Sequence, residues 1–204
     1  MNAVRSARAG RYHHGDLPAA LIAAVRQLIE AEGAEKLSLR AVAAAVGVSQ
    51  TAPYFHFTDK AALVAAVAAE GFAEFQELLR ARGAGEADPV KRLRLLAVGY
   101  VEFAVGAPEL FRLMYGPTLD HTAHPELARA GAAGAGLLTE AVKACMPGAT
   151  SERVRSAAAA AWSMVHGLAI LCNDGRIAVR GPRDLERRVM AVTAHLDVHG
   201  LEAT

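Results

Sequence analysis

The sequence predicts an all-α protein, and three observations carry that prediction. Apolar residues make up 53% of the chain but aromatics only 5%, and Ala is the commonest apolar type. Such small side chains suit closely packed helices better than a β-sandwich, which wants Val, Ile, Thr and Tyr. No alternating apolar and polar pattern persists, and no internal repeat stands out. Apolar residues recur instead at helical spacing in segments punctuated by Gly and Pro, giving about nine helices over 204 residues.

Residues 1–15 carry Arg5, Arg8 and Arg11 in a polar, Gly-containing stretch and are expected to form a flexible basic arm. Such an arm either touches a DNA backbone or minor groove, or is a terminus with no role. Asp16 is placed to cap a first helix that enters through Leu17 and Pro18 and stops at Gly33. Its apolar set, Leu21, Ile22, Val25, Leu28 and Ile29, lies on one face. A second helix, capped by Ser38, is expected over residues 37–46, with Leu39, Val42, Ala43 and Val46 inward and Arg40 outward. Gly47 then supplies the positive φ of a sharp reversal, and Val48 plugs the turn into the core.

A third helix follows over residues 49–57, capped by Ser49, and Asp59 caps a fourth that runs to about residue 82. That fourth helix, 59–82, is long enough to link two domains. After a loop at 83–88, further helices are expected at 89–105, 108–115, 125–145, 151–173 and 182–198. The organisation predicted is an arm (1–15), a helix-turn-helix unit (16–60) and a helical regulatory and dimerisation unit (61–204).

Charge and cysteine content narrow the function. The net charge is only +1, and residues 1–60 hold seven Lys/Arg against five Asp/Glu, a local balance of +2. A DNA-binding reading must therefore rest on geometry and not on a basic patch. Cys145 and Cys172 stand 27 positions apart with no CxxC, which reads as buried free thiols in a reducing, cytoplasmic setting. The uncharged run 156–173 reaches membrane-span length, but Arg153, Arg155 and Asp174 bracket it and Ala dominates it, so a buried bundle helix is expected and no membrane partner.

The stretch 37–60 carries the chemistry. Two short helices flank a Gly-containing turn, the layout of a helix-turn-helix DNA reader. With Val48, Pro53 and Phe57 inward, Gln50, Thr51, Tyr54 and Phe55 fall on the opposite side. Gln50 can read adenine, Thr51 and Ala52 offer a methyl to thymine, and Tyr54 and His56 can meet phosphates. Lys60 opens the next helix, where its charge opposes the helix dipole, and a DNA phosphate would satisfy it.

YFHFTDKAAL after GVSQTAP resembles the signature of TetR-type (tetracycline-repressor-like) regulators, in which a YxxF element precedes a Lys that opens the fourth helix. The resemblance covers residues 12–72 closely and the remainder only in its succession of helices. It implies a homodimer on palindromic double-stranded DNA, with one recognition helix per major-groove half-site. Carried over, Arg40, Gln50, Thr51 and Ala52 match base-proximal positions, and Ser38, Tyr54, His56 and Lys60 match backbone-contacting ones. Pro53 departs from the usual Leu, and proline removes a helix hydrogen bond, so a short or tilted recognition helix is expected.

The second half resembles the variable ligand-binding and dimerisation domain of such regulators. Its AAWSMVHGLAIL run is similar to a subgroup with a Trp, His, Gly pattern in the penultimate helix, which with the last helix would form a four-helix dimer interface. Tyr100, Phe103, Phe111, Met114, Tyr115, Trp162 and His166 are candidates to line an apolar effector cavity or simply to form the core. His195 with His199, and His121 with His124, have zinc-like spacings but no third ligand in step, so neither a metal nor a cofactor is expected. The implied function is a repressor released by a small apolar ligand and not an enzyme. Its rivals are an all-α enzyme or cofactor carrier built on Trp162, Met164, His166 and Cys172, or a regulator whose second half only dimerises.

Overall fold

A computed structural model describes residues 16–117 and 119–194 of the chain. The arm at 1–15, the end of the last predicted helix, and His195 and His199 lie outside the described residues. Among those described there are eight α-helices, two short 3-10 segments and no strand. In chain order the helices are α1 (Leu17–Glu32), α2 (Leu39–Val46), α3 (Lys60–Gly83), α4 (Pro89–Gly106), α5 (Pro108–Tyr115), α6 (Pro125–Cys145), α7 (Ser151–Asn173) and α8 (Pro182–Thr193).

Local chemistry sets the boundaries. The carboxylates of Asp16, Asp59 and Asp88 and the hydroxyls of Ser38 and Thr150 accept backbone N–H bonds at the starts of α1, α3, α4, α2 and α7 respectively. Four helices, α4, α5, α6 and α8, begin with a proline, whose missing N–H falls where no intrahelical partner exists. Gly47 ends α2 in the left-handed conformation at φ 78°, and its N–H and that of Val48 both return to the Ala43 carbonyl. Val48 is only half-buried, a lighter anchor than its apolar character suggested.

One predicted element changes. The third helix of 49–57 is instead a 3-10 turn, Ala52–Phe55, so the count falls from nine helices to eight. In an α-helix capped by Ser49, residue 53 would be the first to donate a backbone N–H, to the Ser49 carbonyl. Pro53 has none. That carbonyl is taken at 3.0 Å by the Ala52 N–H, one residue earlier, and the tighter i to i+3 pattern follows. The Ser49 hydroxyl lies 3.1 Å from the Thr51 hydroxyl and caps nothing.

A continuous apolar core runs from Leu21 in α1 to Val189 in α8, with Phe75 of α3 and Phe111 of α5 fully enclosed in it. A second cluster joins Leu93 of α4, Val142 and Cys145 of α6, and Val154, Ala158 and Ala161 of α7. Helix α3 packs on α1, α4, α5 and α6. It is tied to α1 by the Arg26–Glu74 ion pair, to α4 by Arg82–Glu102, and to α6 by the buried Gln76 amide, which donates to the Ala130 carbonyl at 2.9 Å. Helix α7 is long and apolar enough to cross a membrane by length and composition, and 39% of its apolar window is buried against the rest of the chain. Cys145 is buried and Cys172 half-buried, both as free thiols, and burial pushes both up from the ordinary thiol range.

Candidate nucleic-acid interface and cavity

The turn between α2 and α3 presents a polar and aromatic face. Pro53 is buried and Phe57 half-buried, holding the 3-10 turn against the helical unit. Gln50, Thr51 and His56 are exposed, Tyr54 is 58% exposed and Phe55 82%. Ala52 and Lys60 are half-buried beside them, and Arg40 stands exposed on α2. Neither Arg40 nor Lys60 makes an ion pair among the described residues, so both cations are available to an anionic partner. The Ser38 hydroxyl accepts from the Ala41 N–H at 3.2 Å and keeps its own proton to donate. Sequence reasoning placed Phe55 on this side without a role. Its exposure makes it the largest apolar group offered there, suited to a thymine methyl.

The second feature is a cavity of about 460 Å³ walled by α3, α4, α6 and α7, with the end of α5 and the following loop. Of the residues nominated from sequence, Tyr100, Met114, Tyr115 and Trp162 line it. Phe103, Phe111 and His166 do not. Phe103 turns onto Phe75, with ring centroids 5.4 Å apart, because α4 gives its cavity side to the 93, 94, 97, 100 stripe. Phe111 is fully enclosed beneath Tyr115, and His166 stands behind Tyr100.

Those outer residues still organise the wall. The Trp162 indole N–H donates to the Tyr100 hydroxyl at 3.1 Å, and the Tyr100 hydroxyl pairs with His166 Nδ1 at 2.8 Å. With its oxygen accepting from Trp162, Tyr100 gives its proton to Nδ1, which requires a neutral imidazole protonated at Nε2. Burial favours that state by lowering the His166 pKa from its ordinary value. Burial also raises both cavity phenols, Tyr115 to about 12 and Tyr100 further. The site is therefore uncharged at its aromatic end.

Residues that sequence reasoning missed complete the lining: Phe72, Phe75 and Leu79 of α3, His121, and two arginines, Arg94 and Arg155. The α3 residues were visible as an apolar stripe but not as a cavity wall. His121 donates or accepts at the Met114 carbonyl, 3.1 Å away, and no cluster of three metal-ligating side chains exists among the described residues.

A helix-turn-helix face with free cations, joined through one long helix to a cavity-bearing bundle, defines a DNA-binding transcriptional regulator with an attached helical domain. Comparison with known proteins fixes the family. The profile for bacterial regulatory proteins of the tetR family matches residues 21–67, and that for the tetracyclin repressor-like C-terminal domain matches residues 93–196. The chain belongs to the TetR family of transcriptional regulators.

A protein of unknown function from Rhodococcus sp. RHA1 is 32% identical, with 93% of this chain and 97% of that one covered and a TM-score of 0.79. The fatty acid degradation regulator FadR from Bacillus halodurans is 16% identical over 95% of this chain and 100% of that one, at a TM-score of 0.71. The transcriptional regulator FadR from Bacillus subtilis, solved in complex with stearoyl-CoA, is 19% identical over 89% and 98%, at a TM-score of 0.67. The last two share the fold. No curated protein matches the sequence.

Proposed function

We propose that the chain is a cytoplasmic homodimeric repressor that holds a palindromic operator through the 38–60 face and leaves it when a small, largely apolar ligand enters the cavity. Within this reading residues 16–60 are the reader and 61–204 the regulatory unit. Arg40, Gln50, Thr51 and Ala52 face bases, and Ser38, Tyr54, His56 and Lys60 face the backbone. The observation that carries it is the continuity of α3, which begins at Lys60 beside the exposed face and walls the cavity with Phe72, Phe75 and Leu79. A ligand that favours one position of α3 shifts the spacing of the two readers away from the about 34–36 Å that two major-groove half-sites require.

Dimerisation is supported by an uncharged outer stripe on α7, where Ala160, Ser163 and Leu171 are exposed and Gly167 half-buried at helical spacing. Small residues there let a second copy approach closely. The carriage of fatty-acyl ligands by a FadR of the same fold supports an apolar effector. Footprinting on the DNA upstream of the protein's own gene tests the reading. Two protected half-sites one helical turn apart, lost on adding an effector, are expected; protection of a single half-site counts against the dimeric reader.

A further inference from the structure

We propose that the cavity takes an amphiphilic anion, an apolar body carrying a carboxylate or phosphate head, with the head held by Arg94 and Arg155. The proposal rests on the reading of this cavity as the effector site and specifies the class of effector. Arg94 and Arg155 both line the cavity, and no Asp or Glu does. Elsewhere Arg26, Arg82, Arg112, Arg187 and Arg188 are each matched to a carboxylate. Among the described residues, Arg94 and Arg155 form neither an ion pair nor a side-chain hydrogen bond. Arg94 is moreover half-buried, so its guanidinium gives up part of its hydration without gaining a counter-charge.

The two arginines share one end of the cavity. Arg94 follows Leu93 and Arg155 follows Val154, and Leu93 and Val154 pack in the same small core cluster, with Leu138 against it. Thr139, next to Leu138, adds a hydroxyl to the same wall. The opposite end is apolar and aromatic, made by Phe72, Met114 and Tyr115, and the polar atoms of Tyr100 and Trp162 are already spent on each other. The cavity is thus polarised, with two cations at one end and a surface that strands no donor at the other. A guanidinium matches a carboxylate or phosphate through two parallel hydrogen bonds, and a neutral apolar ligand would leave both cations unanswered.

Trp162, the single tryptophan of the chain, lines the cavity and reports occupancy by its fluorescence. The full-length protein is titrated with decanoate, decyl phosphate and decan-1-ol, following Trp162 emission and the release of labelled upstream DNA. The anions are expected to bind at least roughly tenfold more tightly than the alcohol, the gain of hydrogen bonds to a charged group. Added salt narrows the gap, and Arg94→Gln with Arg155→Gln abolishes it while leaving decan-1-ol binding unchanged. A preference between decanoate and decyl phosphate assigns the head group. Equal binding of all three, or an anion preference that survives in the folded double variant, overturns the proposal and leaves the effector cavity standing. No Trp162 response and no DNA release with any of the three overturns the cavity reading and the proposal together.

Discussion

The Glu30 carboxylate, near the end of α1, accepts a hydrogen bond at 2.9 Å from the backbone N–H of Leu110, in the first turn of α5. Eighty positions separate the two residues, and the bond ties the reader's first helix to the helix whose Met114 and Tyr115 line the cavity. A carboxylate at a helix N-terminus satisfies an otherwise unpaired donor and complements the helix dipole. It is a second route, beside α3, from cavity to reader.

Glu30→Ala removes that cap. A loss of about 1 kcal/mol of stability is expected, the typical worth of an N-terminal cap. Ligand-free DNA affinity should stay within a few-fold of wild type while the ligand-induced loss of affinity shrinks. Denaturant melts and anisotropy titrations with and without decanoate check both parts.

Gly71 sits where α3 crosses α5. A Cβ there would lie 2.9 Å from Met114 Sδ and 3.1 Å from Leu110 Cδ1. Gly71→Val therefore overpacks the junction, at an expected cost of about 1–3 kcal/mol, and pushes Met114 toward the cavity. Weaker effector binding, read from Trp162 fluorescence, should accompany the lower melting midpoint.

Pro53→Ala restores the amide that the Ser49 carbonyl lacks at α-helical spacing. The 3-10 turn should lengthen into an α-helical one, which hydrogen-exchange protection of the new residue-53 amide would report. Because Gln50, Thr51 and Tyr54 then rotate relative to the groove, the preferred operator sequence should change more than the affinity for random DNA.

The cavity phenols predict an alkaline limit. Tyr115 is raised by burial from 10.0 to about 12, and Tyr100 is raised by the same cause. A group whose folded pKa lies above its unfolded value contributes stability that is full below the unfolded pKa and disappears as pH climbs through the folded one. Stability should therefore hold to about pH 10 and fall between there and about pH 12, and Tyr100→Phe with Tyr115→Phe should flatten that fall. Melting midpoints across this range check it.

The reader was legible in the sequence because its determinants are local. Gly47, Ser38 and Asp59 act within four residues of themselves, and Pro53 announced the shortened recognition element through chemistry that needs no partner. The cavity was only half legible. Sequence proximity gathered Tyr100, Phe103, Phe111, Met114 and Tyr115, but which of them face the void depends on how α4 and α5 rotate against α3 and α7. Arg94 and Arg155 were overlooked for the same reason, since a charged residue on an apolar helix ordinarily marks the solvent side. The Glu30 cap on α5 joins residues too distant for any spacing rule.

The most direct test is the salt dependence of affinity for the upstream DNA, measured for the wild type and for Tyr54→Ala combined with Lys60→Ala. If the 38–60 face is the reader, the folded double variant binds that DNA far more weakly, and its log–log salt slope is smaller by about 1 for the lost lysine–phosphate contact. Unchanged affinity and an unchanged slope would contradict the assignment of this face to DNA.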